Sequence, residues 1–313
     1  MSKWEILLTD GLEDNGQELL RTAAEVENNP TITADDLLKV VGDYDALIVR
    51  GRTKVTAAVF EAGKKLKVVG RSGVGVDNID LVAAKAKGVT VVNAPIATTL
   101  AVAELTLGLM LSLMREIPRA DSGMKANKWL KKELEGCELY QKTLGVIGCG
   151  RIGAAVGDRA RAFGMRVLGY DPLLTDIDIR RKGMEPASLE GIYQRADMIT
   201  IHVPLNDQTR GMINAETIGK MKKGVYLVCA ARGGIIDESA LLAALGSGQV
   251  AGAGLDVLAT EPPGESPLAA HPKVVATPHI GAQTREAQAR AAGDIATEVL
   301  AALNNETLRW RVA

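Results

Sequence analysis

We predict an α/β protein with two doubly wound parallel sheets, and three features of the sequence carry this prediction. Short β-rich runs alternate with helical patterns along the chain, as in sheets whose parallel strands are joined by helices. The 313 residues exceed the size at which a single hydrophobic core usually divides into two. One strand pattern, Leu144–Gly148, continues directly into a glycine-rich turn that is typical of nucleotide-binding sheets.

The first hundred residues form one small α/β pattern. Strands are predicted at Trp4–Thr9, Ala46–Arg50, Lys67–Gly70 and Thr90–Asn93, with helices at Ala34–Val41 and Asp80–Lys87. A long alanine-rich helix pattern, Gln283–Leu303, has no strand after it, and we expect it to carry the chain back onto this first domain. The expected first domain is therefore discontinuous and contains residues 1–99 and 283–313.

The middle of the chain is denser in strands. An apolar helix pattern, Leu100–Arg115, is expected to end at Pro118 and to be followed by a polar segment, Asp121–Gln141. Six strands are then predicted, at Leu144–Gly148, Arg166–Asp171, Met198–Val203, Val225–Ala230, Ala251–Val257 and Val274–Pro278. Six strands with helical connections match a nucleotide-binding domain, here residues 100–282, joined to the first domain by two crossings that can act as hinges.

Composition argues against several classes of protein. The net charge of −1 provides no basic field for nucleic acid or an anionic membrane. The longest apolar stretch, Leu100–Met114, is shorter than a membrane span and contains Glu104. The N-terminal MSKWEILLTD is too short and too acidic for a signal sequence. Three scattered cysteines without metal-ligand spacing indicate a reducing compartment, so we predict a cytoplasmic protein without a metal site.

The glycine-rich turn Gly148-Cys149-Gly150-Arg151-Ile152-Gly153 lies between a strand and the helix pattern AAVGDRARAF. In such a turn the first glycine permits the bend, the second admits a pyrophosphate and the third lets the helix pack on the strand. The next strand ends in Asp171, whose carboxylate can accept hydrogen bonds from an adenosine ribose. Asp171 would repel a 2′-phosphate, so NAD is favoured over NADP. The plainer interpretation is a glycine-rich turn beside an ordinary strand-terminal aspartate.

Three polar side chains follow three consecutive strands, at the sheet edge where open α/β folds bind ligands. Arg232 follows the fourth strand in CAARGGIIDE, Glu261 the fifth in LATEPP, and His279 the sixth in ATPHIGA. An imidazole can remove a hydroxyl proton near neutral pH, a carboxylate can orient it, and an arginine can bind a carboxylate through two hydrogen bonds. The set predicts oxidation of a 2-hydroxy acid. Taken singly, Arg232 could cap a helix or pair with Asp237, Glu261 could be a surface charge, and His279 a core histidine.

Further residues near these strand ends are predicted to contact the cofactor. Asp256, in GLDV, could bind the nicotinamide carboxamide or satisfy loop amides, and the sequence leaves both open. Ala230 and Ala231 are small enough for a ring to lie against the backbone. The predicted cofactor set is Gly148, Gly150, Arg151, Ile152, Gly153, Asp171, His202, Val203, Pro204, Ala230, Ala231, Asp256 and Gly281.

Two segments of the first domain are candidates for binding the substrate. Arg50, Arg52 and Lys54 alternate at a strand exit in IVRGRTKVT, which predicts either an anion site or a solvated basic loop. The run Ser72-Gly73-Val74-Gly75 ends another strand, where its backbone amides can face an anion.

Seven segments together resemble the D-isomer-specific 2-hydroxyacid dehydrogenase family over nearly the whole chain. They are GRSGVGVDNID, AELTLGLMLSLMREIP, KTLGVIGCGRIG, GYDP, AARGGIIDE, GLDVLATEPP and PHIGAQT. The resemblance implies a Rossmann NAD-binding domain inserted into a smaller flavodoxin-like substrate domain. It also implies that Arg232 anchors the substrate carboxylate and that His279 is the acid/base, assisted by Glu261. VRGRTKVT in the first domain favours a phosphorylated substrate.

The resemblance further implies a homodimer or tetramer joined near Trp129, where Lys131 or Lys132 would reach the neighbouring site. The run Ile96-Ala97-Thr98-Thr99 departs from the family, because Thr98 stands where members that act on phosphoglycerate usually have Asn. The chain ends soon after its last helix, which is expected either of a short family member or of a fragment. Alternative functions are a glyoxylate/hydroxypyruvate or D-lactate-type reductase, and an NAD-sensing binding protein like the corepressors of this fold.

Overall fold

The computed structural model describes residues 3–313, so the first two residues of the expected 1–99 segment lie outside it. The chain divides into two compact units. Unit 1 runs to Thr99 and resumes with Ala282–Ala313, and unit 2 is Leu100–Gly281. No helix within residues 3–313 has the length and apolar character needed to cross a membrane.

The elements follow one another in this order: β1 (Trp4–Leu8), α1 (Asp14–Arg21), β2 (Ala24–Asn28), α2 (Ala34–Val40), a 3-10 turn (Val41–Asp43), β3 (Ala46–Val49), α3 (Ala57–Ala62), β4 (Val68–Arg71), α4 (Leu81–Lys87), β5 (Thr90–Asn93), α5 (Thr99–Met114), α6 (Ile117–Lys125), β6 (Thr143–Ile147), α7 (Arg151–Ala162), β7 (Arg166–Tyr170), α8 (Asp176–Arg181), β8 (Glu185–Pro186), α9 (Leu189–Arg195), β9 (Met198–Ile201), α10 (Ala215–Gly219), β10 (Val225–Cys229), α11 (Glu238–Ser247), β11 (Val250–Leu255), β12 (Val274–Ala276) and α12 (Arg285–Leu303).

Unit 1 is a five-stranded parallel sheet with strand order β2-β1-β3-β4-β5, the order of flavodoxin-like folds. Its central strands are apolar and buried because helices cover both faces. One core lies against α2, α3 and α4, and the other lies against α1 and α12. A Cβ at Gly70 would lie 2.6 Å from Val299 Cγ2, so this glycine allows α12 to pack closely on β4. The final residues also pair with β5, where the Val312 amide donates to the Val91 carbonyl at 2.7 Å.

Unit 2 is a seven-stranded parallel sheet in the order β12-β11-β10-β9-β6-β7-β8. Read from β8, this is the Rossmann order with one further strand, and the order reverses between β6 and β9. One face packs against α9 and α11 and the other against α5 and α7. Gly254 lets α5 approach β11, because a Cβ there would lie 3.1 Å from Leu109 Cβ. The predicted fold class, with two doubly wound parallel sheets, is confirmed.

Two edge strands and the helix that contains Pro118 are among the elements that were not expected from the sequence. Strand β2 reads AEVEN and lies at a sheet edge, where only Ala24 is buried and its glutamates face solvent, so it lacks the apolar run of a central strand. Strand β8 has two residues, and its Pro186 is tolerated because it too lies at an edge. Helix α5 ends at Met114, before Pro118 as expected, but Pro118 lies in the first turn of a further helix, α6, where the missing N–H of proline leaves no intrahelical hydrogen bond unmade.

Candidate active site

The glycine-rich turn connects β6 to α7, and its glycines meet different demands. Gly148 has φ +92°, and a Cβ at Gly153 would lie 2.0 Å from the Gly148 carbonyl oxygen, so the fold itself requires both. A Cβ at Gly150 would meet no protein atom within 4 Å. No side chain in the described chain caps the first turn of α7, a helix of twelve residues. Open space in front of uncapped amides fits a pyrophosphate held by the helix N-terminus.

Asp171 lies beside this turn at the end of β7. Its Oδ2 accepts from the Cys149 amide at 2.9 Å, and its Oδ1 accepts from the Leu173 amide at 2.9 Å. A carboxylate has about four acceptor positions, so both oxygens retain capacity for ribose hydroxyls. On the first turn of α7, Arg151 is exposed and Ile152 is half-buried. These residues fit the adenosine side of a dinucleotide site.

The residues after β9 border the glycine-rich turn from the other side. The carbonyl carbon of His202 lies 2.7 Å, and Val203 Cγ1 3.0 Å, from the position of a Cβ on Gly148. The Nε2 atom of His202 lies 2.9 Å from Thr200 Oγ1, and within residues 3–313 its buried Nδ1 has no partner. Burial lowers the pKa of His202 to about 4, so the ring is neutral at pH 7. Pro204 is exposed.

The His279 and Glu261 side chains form a pair after β12 and β11. His279 Nδ1 lies 2.7 Å from Glu261 Oε2, and Glu261 Oε1 accepts from the Leu258 amide at 3.1 Å. Because a carboxylate accepts the Nδ1 hydrogen, the neutral ring keeps its lone pair on Nε2. Both side chains remain accessible, at 46% for His279 and 38% for Glu261. The pair can therefore take a proton from a substrate hydroxyl at Nε2.

Asp256 holds the loop that carries His279. The residue is 1% exposed, and its carboxylate accepts from Thr277 Oγ1 at 2.7 Å and from the Ile280 and Gly281 amides at 2.8 Å each. Its carbonyl oxygen accepts from the His279 amide at 2.9 Å. His279 has φ +52°, a left-handed conformation that is unfavourable for a non-glycine residue. Of the two roles left open for Asp256, these contacts correspond to the one in which it accepts hydrogen bonds from loop amides. Gly281, which donates one of these bonds, is buried against Asp256.

Arg232 follows β10 on a loop that touches the Glu261 loop. A Cβ at Gly233 would lie 1.9 Å from the Leu258 carbonyl oxygen, so only glycine allows this approach. Arg232 Nη1 donates to the Ala231 carbonyl at 2.7 Å. Asp237 caps α11 through the Ala240 amide at 3.0 Å. The loops after β10, β11 and β12 thus carry Arg232, Glu261 and His279 at one edge of the unit 2 sheet, with Ala230 and Ala231 half-buried beside them.

In unit 1, the predicted cations take different partners. Arg50 donates from its guanidinium to Gln288 of α12, whereas Arg52 donates to the Thr9 carbonyl and, at 2.9 Å, to the Ile32 carbonyl. Arg52 also pairs with Asp10 at 3.2 Å. Lys54 is exposed. Alternation along an extended strand was the basis for expecting one cluster, but β3 ends at Val49 and the chain turns at Gly51.

Two residues that the sequence interpretation missed fix this loop. Asp10, at the end of β1, accepts from the Arg50 amide at 2.7 Å and from Thr53 Oγ1 at 2.5 Å. Asn78 donates to the carbonyls of Arg50 and Thr53 at 3.1 and 2.7 Å. Like Arg232, Glu261 and His279, Asp10 follows the end of a strand, and this position was the feature of the sequence that could have identified it.

The backbone of the glycine-rich segment after β4 is held by hydrogen bonds to other parts of unit 1. The Ser72 amide donates to the Val49 carbonyl at 2.9 Å, and Gly73 has φ +141°. Asn93 Nδ2 donates to the Val74 carbonyl at 2.7 Å, while Val74 and Gly75 are half-buried. Across residues 3–313, no group of three or more metal-ligating side chains is arranged to hold an ion.

The chain belongs to the D-isomer-specific 2-hydroxyacid dehydrogenase family. Residues 107–281 match the family model described as D-isomer specific 2-hydroxyacid dehydrogenase, NAD binding domain. This match confirms the family and NAD as the cofactor, and the glycine-rich turn and Asp171 described above fit that cofactor.

Particular relatives differ in the substrates that their names state. The D-3-phosphoglycerate dehydrogenase of Methanocaldococcus jannaschii is 49% identical over 295 residues, which are 94% of this chain and 56% of that protein. The hydroxypyruvate reductase of Thermotoga maritima is 46% identical over 294 residues, which are 93% of this chain and 95% of that protein. A solved D-lactate dehydrogenase of Aquifex aeolicus, complexed with NAD and lactic acid, is 31% identical with a TM-score of 0.85, over 96% of both chains. The chain thus spans about half the length of the phosphoglycerate dehydrogenase that it matches.

Proposed function

We propose that this chain catalyses NAD-dependent oxidation of D-3-phosphoglycerate to 3-phosphohydroxypyruvate, a step towards serine. The observation that carries the chemistry is the 2.7 Å contact of His279 with Glu261, on loops adjoining the Arg232 loop in an NAD-binding family member. Unit 2 is proposed as the cofactor domain and unit 1 as the substrate domain.

In the proposed mechanism, three side chains of unit 2 divide the work. Arg232 binds the substrate carboxylate through paired hydrogen bonds. His279 Nε2 accepts the proton of the C2 hydroxyl, and the Glu261 carboxylate stabilises the imidazolium that forms. Bound NAD supplies the hydride acceptor. The substrate carbon loses a hydride and its hydroxyl loses a proton, which leaves a 2-oxo acid.

The choice of substrate rests on relatives and on Arg50. Phosphoglycerate dehydrogenases of several organisms are 42–49% identical to this chain over at least 94% of its length. Arg50 is the cation that we propose for the phosphate, because two of the Arg52 donors already bind backbone carbonyls. The second candidate is hydroxypyruvate reduction, which is favoured by the relative that matches this chain over 95% of its own length.

A panel of substrates tests the proposal. NADH formation would be followed with D-3-phosphoglycerate, D-glycerate and D-lactate, and with NADP replacing NAD. We expect the highest kcat/KM with D-3-phosphoglycerate and NAD, and Arg50→Gln should raise KM for it about tenfold more than for D-lactate. Higher kcat/KM with D-glycerate would select the second candidate. His279→Ala should lose turnover and keep NAD binding; unchanged turnover would refute the acid/base assignment.

We also propose a homodimer or tetramer in the cytoplasm. Trp129 is 77% exposed, Met124 57% and Ile117 49%, so three large apolar side chains in and just after α6 are available to a second copy of the chain. Lys131 and Lys132 nearby are exposed and remain the residues proposed to reach a neighbouring site. Light scattering should give a mass at least twice that of the chain, and Trp129→Ser should lower it; a monomeric wild-type protein would refute the assembly.

A further inference from the structure

Unit 1 contains a cavity of about 300 Å³ that the proposed chemistry does not use. We call it the α2 cavity, because its walls are the start of α2 and the segment from Arg52 to Val59. Its apolar lining includes Ile32, Leu38 and Val59, and its polar lining includes Arg52, Lys54 and Thr56. This volume lies at the lower end of the range found for small-molecule sites, which are mostly apolar with a few placed polar groups.

The two cations that line the cavity differ in how many of their hydrogen-bond donors already have a partner. Arg52 is committed to backbone carbonyls and its charge is balanced by Asp10 at 3.2 Å. In the part of the chain that the structure describes, the Lys54 ammonium group has neither a hydrogen-bond nor an ion-pair partner. Thr56 makes no side-chain capping bond at the start of α3. Two lining residues, Lys54 and Thr56, therefore keep an ammonium group and a hydroxyl that can bind a ligand.

The surrounding charges set a limit on the ligand. Asp35 and Asp36 occupy the first turn of α2, directly after the lining residues Thr33 and Ala34. Asp36 is paired with Lys39 at 2.7 Å, whereas Asp35 adds a negative charge close to the cavity. One free cation beside an additional carboxylate suits a monoanion better than a dianion such as phosphate.

We propose that the α2 cavity binds a small monocarboxylate with a branched aliphatic body. The carboxylate accepts hydrogen bonds from Lys54 and Thr56, and the aliphatic body lies against Ile32, Leu38 and Val59. Charge-assisted hydrogen bonds orient the ligand, and removal of its apolar surface from water supplies the remaining affinity.

Calorimetric titration with 4-methylpentanoate tests this proposal on the full chain without any use of enzyme activity. We expect saturable, millimolar binding of 4-methylpentanoate to the wild-type chain, and at least about tenfold weaker binding to Lys54→Gln. The neutral analogue 4-methylpentanamide should bind the wild-type chain at least about tenfold more weakly than the acid does. Leu38→Ser, at a partly exposed wall position, should also weaken binding. Lys85→Gln is the matched control, since Lys85 lies on α4 of the same unit and does not line the cavity.

One further control separates this cavity from the proposed carboxylate anchor of unit 2. Arg232→Gln should leave the affinity for 4-methylpentanoate unchanged, because the probe binds within unit 1. The proposal is overturned by absence of saturable binding, by equal affinity in Lys54→Gln, by loss of binding in Arg232→Gln, or by equal affinity for the amide. Tighter binding of inorganic phosphate than of 4-methylpentanoate at Lys54 would likewise overturn it.

Discussion

Replacement of Asp256 by Asn separates the two roles that the sequence left open for this residue. The change keeps the shape of the side chain and replaces one acceptor oxygen by an NH2 group. The remaining oxygen best occupies the Oδ1 position, where it serves both Thr277 Oγ1 and the Ile280 amide. The NH2 group then faces the Gly281 amide, whose hydrogen bond to Oδ2 at 2.8 Å is lost.

The magnitude follows from that single loss. A buried donor without its charged acceptor costs about 1.5–3 kcal/mol of unfolding free energy. The loop also holds His279 at φ +52°, a conformation that stores about 1–3 kcal/mol of strain and persists only while its surroundings impose it. We therefore expect Asp256→Asn to unfold at lower urea concentration and to lose about tenfold in kcat, with less than about threefold change in the KM for NAD.

Urea unfolding and steady-state kinetics measure these quantities on the same preparation. Thr277→Val is the matched control, because it removes one of the three hydrogen bonds and leaves both amides satisfied; its cost should stay near 1 kcal/mol. A large rise in the KM for NAD with unchanged kcat would contradict this reasoning and favour a direct contact of Asp256 with the nicotinamide. Wild-type stability in Asp256→Asn would contradict it as well.

Three further predictions concern the cofactor turn, the imidazole of His202 and the acid/base pair. In Gly150→Ala the added methyl group meets no protein atom, so this variant should keep the wild-type Tm and bind NAD at least about tenfold more weakly. The control is Gly246→Ala, which is equally free of clashes and should not affect NAD binding. Equal NAD affinities of the two variants would show that the pyrophosphate does not approach Gly150. Burial lowers the pKa of His202 from 6.5 to about 4, so the unfolded chain binds more protons between these values. Stability should therefore fall by up to about 3 kcal/mol as the pH decreases through that window, and His202→Gln should flatten this dependence in denaturant titrations; a slope equal to wild type is the contrary result. Glu261→Gln should lower kcat about 10- to 100-fold without changing NAD affinity, because a neutral amide stabilises the imidazolium less than a carboxylate does. Stopped-flow kinetics measure kcat, and a fluorescence titration measures NAD affinity. A wild-type kcat in this variant would argue against the proposed pairing of His279 with Glu261.

The sequence predicted well the features whose physical cause is local. The glycine-rich turn was visible because tight backbone contacts at Gly148 and Gly153 admit only glycine, and the central strands were visible because they are buried on both faces. The convergence of Glu261 and His279 followed from the rule that parallel strands end at one edge. The edge strands β2 and β8 were not predicted, because partly solvated strands lack the apolar pattern by which the central strands were recognised. The different partners of Arg50 and Arg52 were not predictable, since the acceptors on Thr9, Ile32 and Gln288 are distant in sequence.

Helix α12 has a consequence for how the protein is made. Unit 2 is continuous, so every strand of its sheet is available to a nascent chain once residue 281 has left the ribosome. Unit 1 has all five strands synthesised first, yet the part of one sheet face that α12 covers stays open until that helix follows about two hundred residues later. During that interval the apolar residues of β1, β3 and β4 that later meet Ile295 and Val299 are exposed to water and to other chains. The order of synthesis therefore allows the cofactor sheet to be completed before the sheet that precedes it in the chain.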